Sequence, residues 1–151
     1  MNIYLVKASA GSDYSKYKAE TGGPPQNIFA AAAATPKWYG IGMVDETIGM
    51  KADSSPDADL VVIFMSTPDA YRAYELALHY RQQGKWVVLG GLHTKFNPEE
   101  AAEYADSLIF GEVENYWVQL LNDAELGQLK AQYQSNEPVD LSCLNPYPTD
   151  I

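Results

Sequence analysis

Small and hydroxyl-bearing residues follow four of the predicted strands, and these residues are the best suited in the chain to contact a ligand. Small side chains let a ligand approach the backbone, and hydroxyls both accept and donate hydrogen bonds. Because each group follows a strand of a predicted parallel sheet, the groups meet at one edge of that sheet. The pattern predicts a broad, flat ligand over this edge. The candidate cofactor-binding residues are Ala8, Ser9, Ala10, Gly11, Ser12, Ser66, Thr67, Gly90, Gly91, Leu92, His93, Gly111, Glu112 and Glu114.

Each of these groups also has an ordinary structural explanation. Residues 8–12 could form a solvated loop, and the hydroxyls at 66–67 could cap the helix that begins at Pro68. The glycines at 90–91 could make a tight turn before the next helix. Acidic residues at 112–114 are favoured at a helix start by the helix dipole. The prediction of a ligand site therefore depends on the shared placement of the groups.

The composition indicates one domain with its own core and limits the classes of partner. The chain has 151 residues, 46% of them hydrophobic, and a formal net charge of −10. Nucleic acids and anionic membrane surfaces attract clustered Lys and Arg, so neither is expected as a partner. No apolar run approaches the roughly 20 residues of a membrane span. The apolar run at residues 1–6 is short and has no basic start, so it is not expected to be a signal peptide. We expect a cytoplasmic protein.

Histidine and cysteine are too few to build a zinc site. Cys143 is the single cysteine, so no internal disulfide can form, and only two histidines accompany it. His79 lies in a predicted helix, whereas His93 lies on a predicted ligand-facing loop. We predict no metal-ligating residue and assign no catalytic residue.

Five short apolar runs predict β-strands at residues 3–6, 38–44, 60–65, 86–89 and 107–110. The run at 60–65 has no polar interruption, which is typical of a strand buried on both faces of a parallel sheet.

Helical patterns lie between the strands, at residues 27–34, 68–83 and 113–121, with a further helix opened by Asn97 and Pro98. Asn27 is the expected N-cap of the first helix, and the last helix is considered to extend over 124–133. The alternation predicts an α/β fold with three layers. It is flavodoxin-like (Rossmann-like), with a five-stranded parallel sheet in the order 2-1-3-4-5.

Two other proteins of this fold can be compared with the residues. A phospho-accepting receiver needs an aspartate at the end of the third strand, where this chain has Met65-Ser66-Thr67, so we discount it. A flavodoxin needs a hydroxyl-rich phosphate loop after the first strand. Ser9, Ser12 and Ser15 supply a poor version of that loop, and a flavin-binding module therefore stays open.

Several motifs, in order and spacing, resemble the N-terminal cobalamin-binding domain of radical S-adenosylmethionine enzymes. That family has a Gly-Gly turn with Pro and His, then Pro-Glu-Glu, then Gly-Glu-Gly-Glu. This chain has Leu92 where proline is usual and Val113 where glycine is usual. The resemblance covers about residues 1–150, including a proline pair at 24–25 and a linker-like tail at 141–151. The matching segments are 60–67, 87–93, 98–101, 105–106 and 111–114.

The resemblance implies a module that holds cobalamin with its dimethylbenzimidazole tail detached, the base-off form. Many cobalamin domains ligate cobalt through a histidine after the first strand, and residues 8–26 contain none. The family's Cys-x-x-x-Cys-x-x-Cys motif is also absent. An iron–sulfur cluster and S-adenosylmethionine are therefore expected only in a C-terminal radical domain that is the partner of this one. We expect a cobalamin-binding domain at 1–134 and an extended linker toward that catalytic domain at 135–151.

Three functional hypotheses follow. The first is a corrinoid-binding module that supports methyl transfer or rearrangement and is not catalytic by itself. The second is an interaction domain of the same fold with a degenerate site. It predicts a crowded crevice filled by Tyr14, Tyr17 or Phe96. The third is the flavin-binding module.

Overall fold

Six parallel strands form a single sheet in the structure, a computed structural model that describes residues 1–11, 25–140 and 146. The order is β2-β1-β3-β4-β5-β6, and each neighbouring pair runs parallel. The predicted order of the first five strands and the parallel α/β class are thus confirmed. The strands are β1 (Asn2–Lys7), β2 (Gly40–Asp45), β3 (Leu60–Phe64), β4 (Trp86–Gly90), β5 (Ser107–Phe110) and β6 (Gln132–Gln134).

The sixth strand corrects the prediction of five strands and of a helix over 124–133. Gly127, with φ +67°, follows the end of the last helix, and the chain then returns to pair with β5. Tyr133 is buried, and its hydroxyl donates to Asp123 Oδ2 at 2.7 Å. A three-residue strand with one apolar side chain has too little periodicity to be recognised in the sequence.

Within the ranges that the structure describes, five α-helices connect the strands, together with three single-turn 3-10 helices at Glu46–Ile48, Thr67–Asp69 and Val113–Asn115. The first helix begins at Gln26 with Pro25 as its N-cap, so the prediction of Asn27 as the cap is wrong. A further short helix replaces the simple turn that was considered after Gly90-Gly91. The helices are α1 (Gln26–Ala34), α2 (Ala70–Gln82), α3 (Leu92–Phe96), α4 (Pro98–Ala102) and α5 (Trp117–Glu125).

The helices cover both faces of the sheet, which gives the three predicted layers. On one face α1 and α5 pack over alternate residues of the strands, with Trp117 fully buried. Trp117 Nε1 donates to Thr35 Oγ1 at 2.8 Å, so the end of α1 is joined to the start of α5. On the other face α2 and α4 bury the alternate set, including Tyr80 and Ala101. No helix within the described ranges is long and apolar enough to cross a membrane.

Candidate functional site

A cleft of about 570 Å³ opens at the carboxyl edge of β3, β4 and β5. Its volume lies within the range of about 300–1,000 Å³ that is usual for small-molecule sites. The cleft lies on the face of the sheet that α1 covers, because Ala30, Phe64 and Ile109 belong both to its wall and to the core of that face. The lining residues are Gln26, Asn27, Ala30, Phe64, Gly91, Leu92, Lys95, Ile109, Gly111, Glu112, Val113 and Glu114.

Two adjacent glycines lie beside this cleft: Gly90 ends β4 and packs against its wall, and Gly91 lines it. A Cβ atom at Gly90 would lie 2.5 Å from Ile109 Cγ1 and 3.2 Å from Phe64 Cδ1, two side chains of the cleft wall. Gly91 has φ +107° and ψ −176°, a conformation essentially restricted to glycine. A Cβ atom at Gly91 would overlap the carbonyl oxygen of Met65. Both positions therefore need glycine for the chain to pass from the end of β4 into α3 in this conformation.

Five of the residues predicted from the sequence meet in the cleft, namely Gly91, Leu92, Gly111, Glu112 and Glu114. The side of the cleft formed by α1, with Gln26, Asn27 and Ala30, was not predicted from the sequence, because only loops that directly follow strands were candidates. The apolar residues Phe64 and Ile109 were assigned to strands and not to a site. The available signal was the predicted helix after the first strand, because in a doubly wound fold that helix lies near the edge where ligands bind.

The N–H groups of Ala8, Ser9 and Ala10, directly after β1, all make hydrogen bonds, and none of these three residues lines the cleft. Ala8 and Ser9 are buried, and the N–H of Ala8 donates to the carbonyl of Phe64 at 3.1 Å. The N–H groups of Ser9 and Ala10 donate to carboxylates of other loops. Gly11 is exposed with φ +103°, whereas Ser12 lies outside the described residues.

His93 is buried on α3 and does not line the cleft. Its Nδ1 lies 3.3 Å from Thr67 Oγ1 and 3.3 Å from Asn97 Nδ2, and its ring centroid is 6.1 Å from that of Tyr74 on α2. Its Nε2 lies 3.6 Å from Glu100 Oε1. The histidine and Thr67 thus connect α3 to the loop after β3, on the α2 side of the sheet.

Asp69 is a fully buried carboxylate that the sequence analysis did not single out. Its Oδ1 accepts a hydrogen bond from Ala10 N at 3.1 Å, and its Oδ2 accepts from Lys7 Nζ at 3.3 Å and from Ser66 Oγ. The spacing Ser-x-x-Asp at 66–69 matches a helix-start signature, which was the available signal. One carboxylate therefore joins the ends of β1 and β3 at the point where the strand order reverses.

Glu46 forms a second junction, between the loop after β2 and the helix α2. Its carboxylate accepts hydrogen bonds from Arg72 Nη2 at 2.8 Å and from the N–H groups of Ser9 and Ala52, each at 3.2 Å. Burial disfavours the charged form. The hydrogen bonds from Arg72, Ala52 and Ser9 outweigh burial and hold the pKa of Glu46 below its ordinary value. Both junctions lie beside β1 and away from the cleft.

The part of the chain that the structure describes contains no group of three His, Cys, Asp or Glu residues able to hold a metal ion. Cys143 lies outside the described residues.

The chain is similar in sequence to two bacteriochlorophyllide d methyltransferases. No protein-family profile matches it. It is 44% identical over 112 residues to a bacteriochlorophyllide d C-8(2)-methyltransferase of Chlorobaculum tepidum, which covers 74% of this chain and 25% of that protein. It is 29% identical over 126 residues to a bacteriochlorophyllide d C-12(1)-methyltransferase of the same organism, covering 81% of this chain and 27% of that protein. The chain is a homologue of these enzymes and spans about a quarter of their length.

Replacing Gly91 with Ala is expected to destabilise the chain more than replacing Gly111. Both glycines have positive φ, so both variants introduce backbone strain. The added methyl group at 91 also meets the Met65 carbonyl, whereas nothing lies within 4 Å of the position at 111. We expect costs of about 2–4 kcal/mol for G91A and about 1 kcal/mol for G111A in urea unfolding. Equal costs would contradict the close approach at Gly91.

Replacing Glu46 with Gln is expected to reduce the dependence of stability on acid pH. The pKa of Glu46 is lowered on folding, so its contribution is complete above the ordinary value of 4.5 and is lost as the pH falls through the folded value. E46Q should be less stable than the wild type at pH 7. The two should converge between about pH 5 and about pH 3, as measured by urea unfolding at a series of pH values.

Exposed Glu103, which follows the end of α4, offers a control for this pH series. E103Q should differ from the wild type by less than about 0.5 kcal/mol, because surface substitutions away from buried contacts change stability little. A constant difference between E46Q and the wild type across the acid range would show that the charge of Glu46 contributes nothing.

Proposed function

We propose that this chain is a corrinoid-binding module of a methyltransferase that acts on a tetrapyrrole of the bacteriochlorophyllide type. The observation that carries the proposal is the cleft at the carboxyl edge of β3, β4 and β5, with Gly91 in its wall. Parallel α/β sheets bind their ligands at this edge. The relatives are methyltransferases by name, which supports methyl transfer as the reaction of the larger protein.

The residues of the cleft suit a large amphipathic ligand. Exposed Leu92 presents apolar surface to the cleft, and nearly buried Phe64 and Ile109 lie in its wall. Asn27, Lys95 and Glu114 add polar groups. A corrinoid combines an apolar ring with amide groups around its rim, so it needs both kinds of contact. Pockets with mostly apolar walls and a few placed polar groups are typical of cofactor sites.

The chain's own residues would bind and orient the corrinoid and exclude water from one side of it. When bound, a corrinoid would supply a cobalt centre able to carry a methyl group. We assign S-adenosylmethionine and an iron–sulfur cluster to a radical domain of the larger protein, because this chain has one cysteine and spans only about a quarter of its relatives. That domain is the proposed protein partner.

Neither histidine is positioned to ligate cobalt from this cleft. His93 is buried against Thr67 and Asn97, and exposed His79 on α2 contacts the Ser54 carbonyl at 2.6 Å. The loop after β1 has no histidine, although residues 12–24 of it lie outside the described residues. We therefore propose a base-off corrinoid without a histidine ligand from this chain.

The open cleft favours binding over a degenerate site. Phe96, one of the side chains expected to fill a degenerate crevice, is 71% exposed and does not line the cleft. The other two, Tyr14 and Tyr17, lie outside the described residues. The flavin alternative depended on Ser9, Ser12 and Ser15. Of these, Ser9 is buried and away from the cleft, and the other two also lie outside the described residues.

Titration of the chain with hydroxocobalamin is expected to change the visible absorbance of the corrinoid and to saturate at one corrinoid per chain. Burial in the cleft alters the surroundings of the ring, which is the physical reason for the change. No spectral change and no calorimetric heat at high micromolar corrinoid would contradict the proposal. Flavin mononucleotide is the control ligand, and a rise in melting temperature with it alone would favour the flavin alternative.

Electron paramagnetic resonance of the bound Co(II) form is expected to show no superhyperfine splitting from an axial nitrogen. This result follows from the absence of imidazole in residues 8–26 and the burial of His93 away from the cleft. Splitting from one nitrogen would show a histidine or the cofactor's own base on cobalt, and the base-off proposal would be wrong.

A further inference from the structure

Glu114 presents an unusual carboxylate to the cleft. It lies in the turn Val113–Asn115 after β5 and lines the cleft. Its Oε2 is buried from water and has no hydrogen-bond partner within the described part of the chain. A buried acceptor left unpaired costs free energy, and the cost is larger when the group is charged.

The other acidic side chains of this sheet edge are satisfied. Asp69 accepts from Ala10, Lys7 and Ser66, and Glu46 accepts from Arg72 and two backbone N–H groups. Glu112, two residues before Glu114, is exposed and reaches water. An unpaired carboxylate oxygen in the wall of a cleft therefore needs its own explanation.

We propose that Glu114 is a specificity-determining residue whose buried carboxylate oxygen accepts a hydrogen bond from an N–H or O–H donor of the molecule in the cleft. The inference rests on the proposed function and names one of its contacts. Two acidic side chains in the wall, Glu112 and Glu114, disfavour an anionic group beside them, whereas a neutral donor meets an acceptor already stripped of water. Corrinoids offer such donors in the amides of the ring rim and in the hydroxyl of the nucleotide tail.

The test compares corrinoid affinity in the wild-type chain, Glu114→Gln and Glu103→Gln, measured by absorbance titration. Gln keeps the shape of Glu and removes its charge. Exposed Glu103, which follows α4 on the other face of the sheet, is the charge control because it does not line the cleft. We expect E114Q to bind hydroxocobalamin about tenfold to a hundredfold more weakly, as for loss of a hydrogen bond to a charged group. E103Q should bind within about twofold of the wild type.

Dicyanocobinamide, which lacks the nucleotide tail, distinguishes the two sources of the donor. If the loss in E114Q persists with cobinamide, the donor is a ring amide. If the loss disappears with cobinamide, the donor belongs to the nucleotide tail. Either result supports the contact and assigns it to one part of the ligand.

The stability of the ligand-free chain distinguishes a ligand contact from a structural role. If Glu114 had a structural role, its replacement would lower the unfolding midpoint. Because Oε2 has no hydrogen-bond partner among the described residues, the unfolding midpoint of ligand-free E114Q should equal or exceed that of the wild type, with E103Q as the charge control. A lowered midpoint in E114Q would overturn the inference. Wild-type affinity in E114Q, or an equal loss in E103Q, would also overturn it while leaving the proposed function standing. Failure of the wild-type chain to bind either corrinoid would overturn both.

Discussion

Strands β1, β3 and β4 lie in the middle of the sheet and have few exposed residues, and all five residues of β3 are buried. Such strands need cover on both faces, and parallel strands need crossover connections long enough to hold helices. The helices α1 and α5 on one face and α2 and α4 on the other satisfy both requirements. The helices leave the carboxyl ends of the strands uncovered. The loops that follow different strands meet at this edge, and the cleft lies there.

The two sides of this edge are built differently. Beside β1, the carboxylate of Asp69 joins the loops after β1 and β3, and that of Glu46 joins the loops after β1 and β2 to α2. Beside β5, the glycines at 90, 91 and 111 leave space, and one oxygen of Glu114 has no hydrogen-bond partner among the described residues. A rigid half next to an open half suits a site that must hold a large ligand in one orientation, because pre-organised partners lower the cost of binding.

The likeness to bacteriochlorophyllide methyltransferases covers about a quarter of those enzymes. In the function proposed above, this chain would hold the cofactor, and another part of the larger protein would perform the chemistry on the substrate.

The sequence by itself determined the elements whose signals are local. Continuous apolar runs gave β1, β3, β4 and β5, and the alternation of strands and helices gave the order of five strands. The glycines at 90 and 91 were also recognised as making space, because their small size is a property of the residues themselves.

Only the tertiary structure decided the features that depend on partners distant in the chain. Strand β6 has one apolar residue, Tyr133, and exists because β5 offers it an edge. Lys7 and Asp69 are 62 residues apart, and His93 is buried because Thr67 and Asn97 happen to surround it. The side of the cleft formed by α1 also arises from packing. The same holds for the Glu114 oxygen that has no hydrogen-bond partner among the described residues. A hydrogen bond or a void is a relation between segments, and no local pattern of residues encodes it.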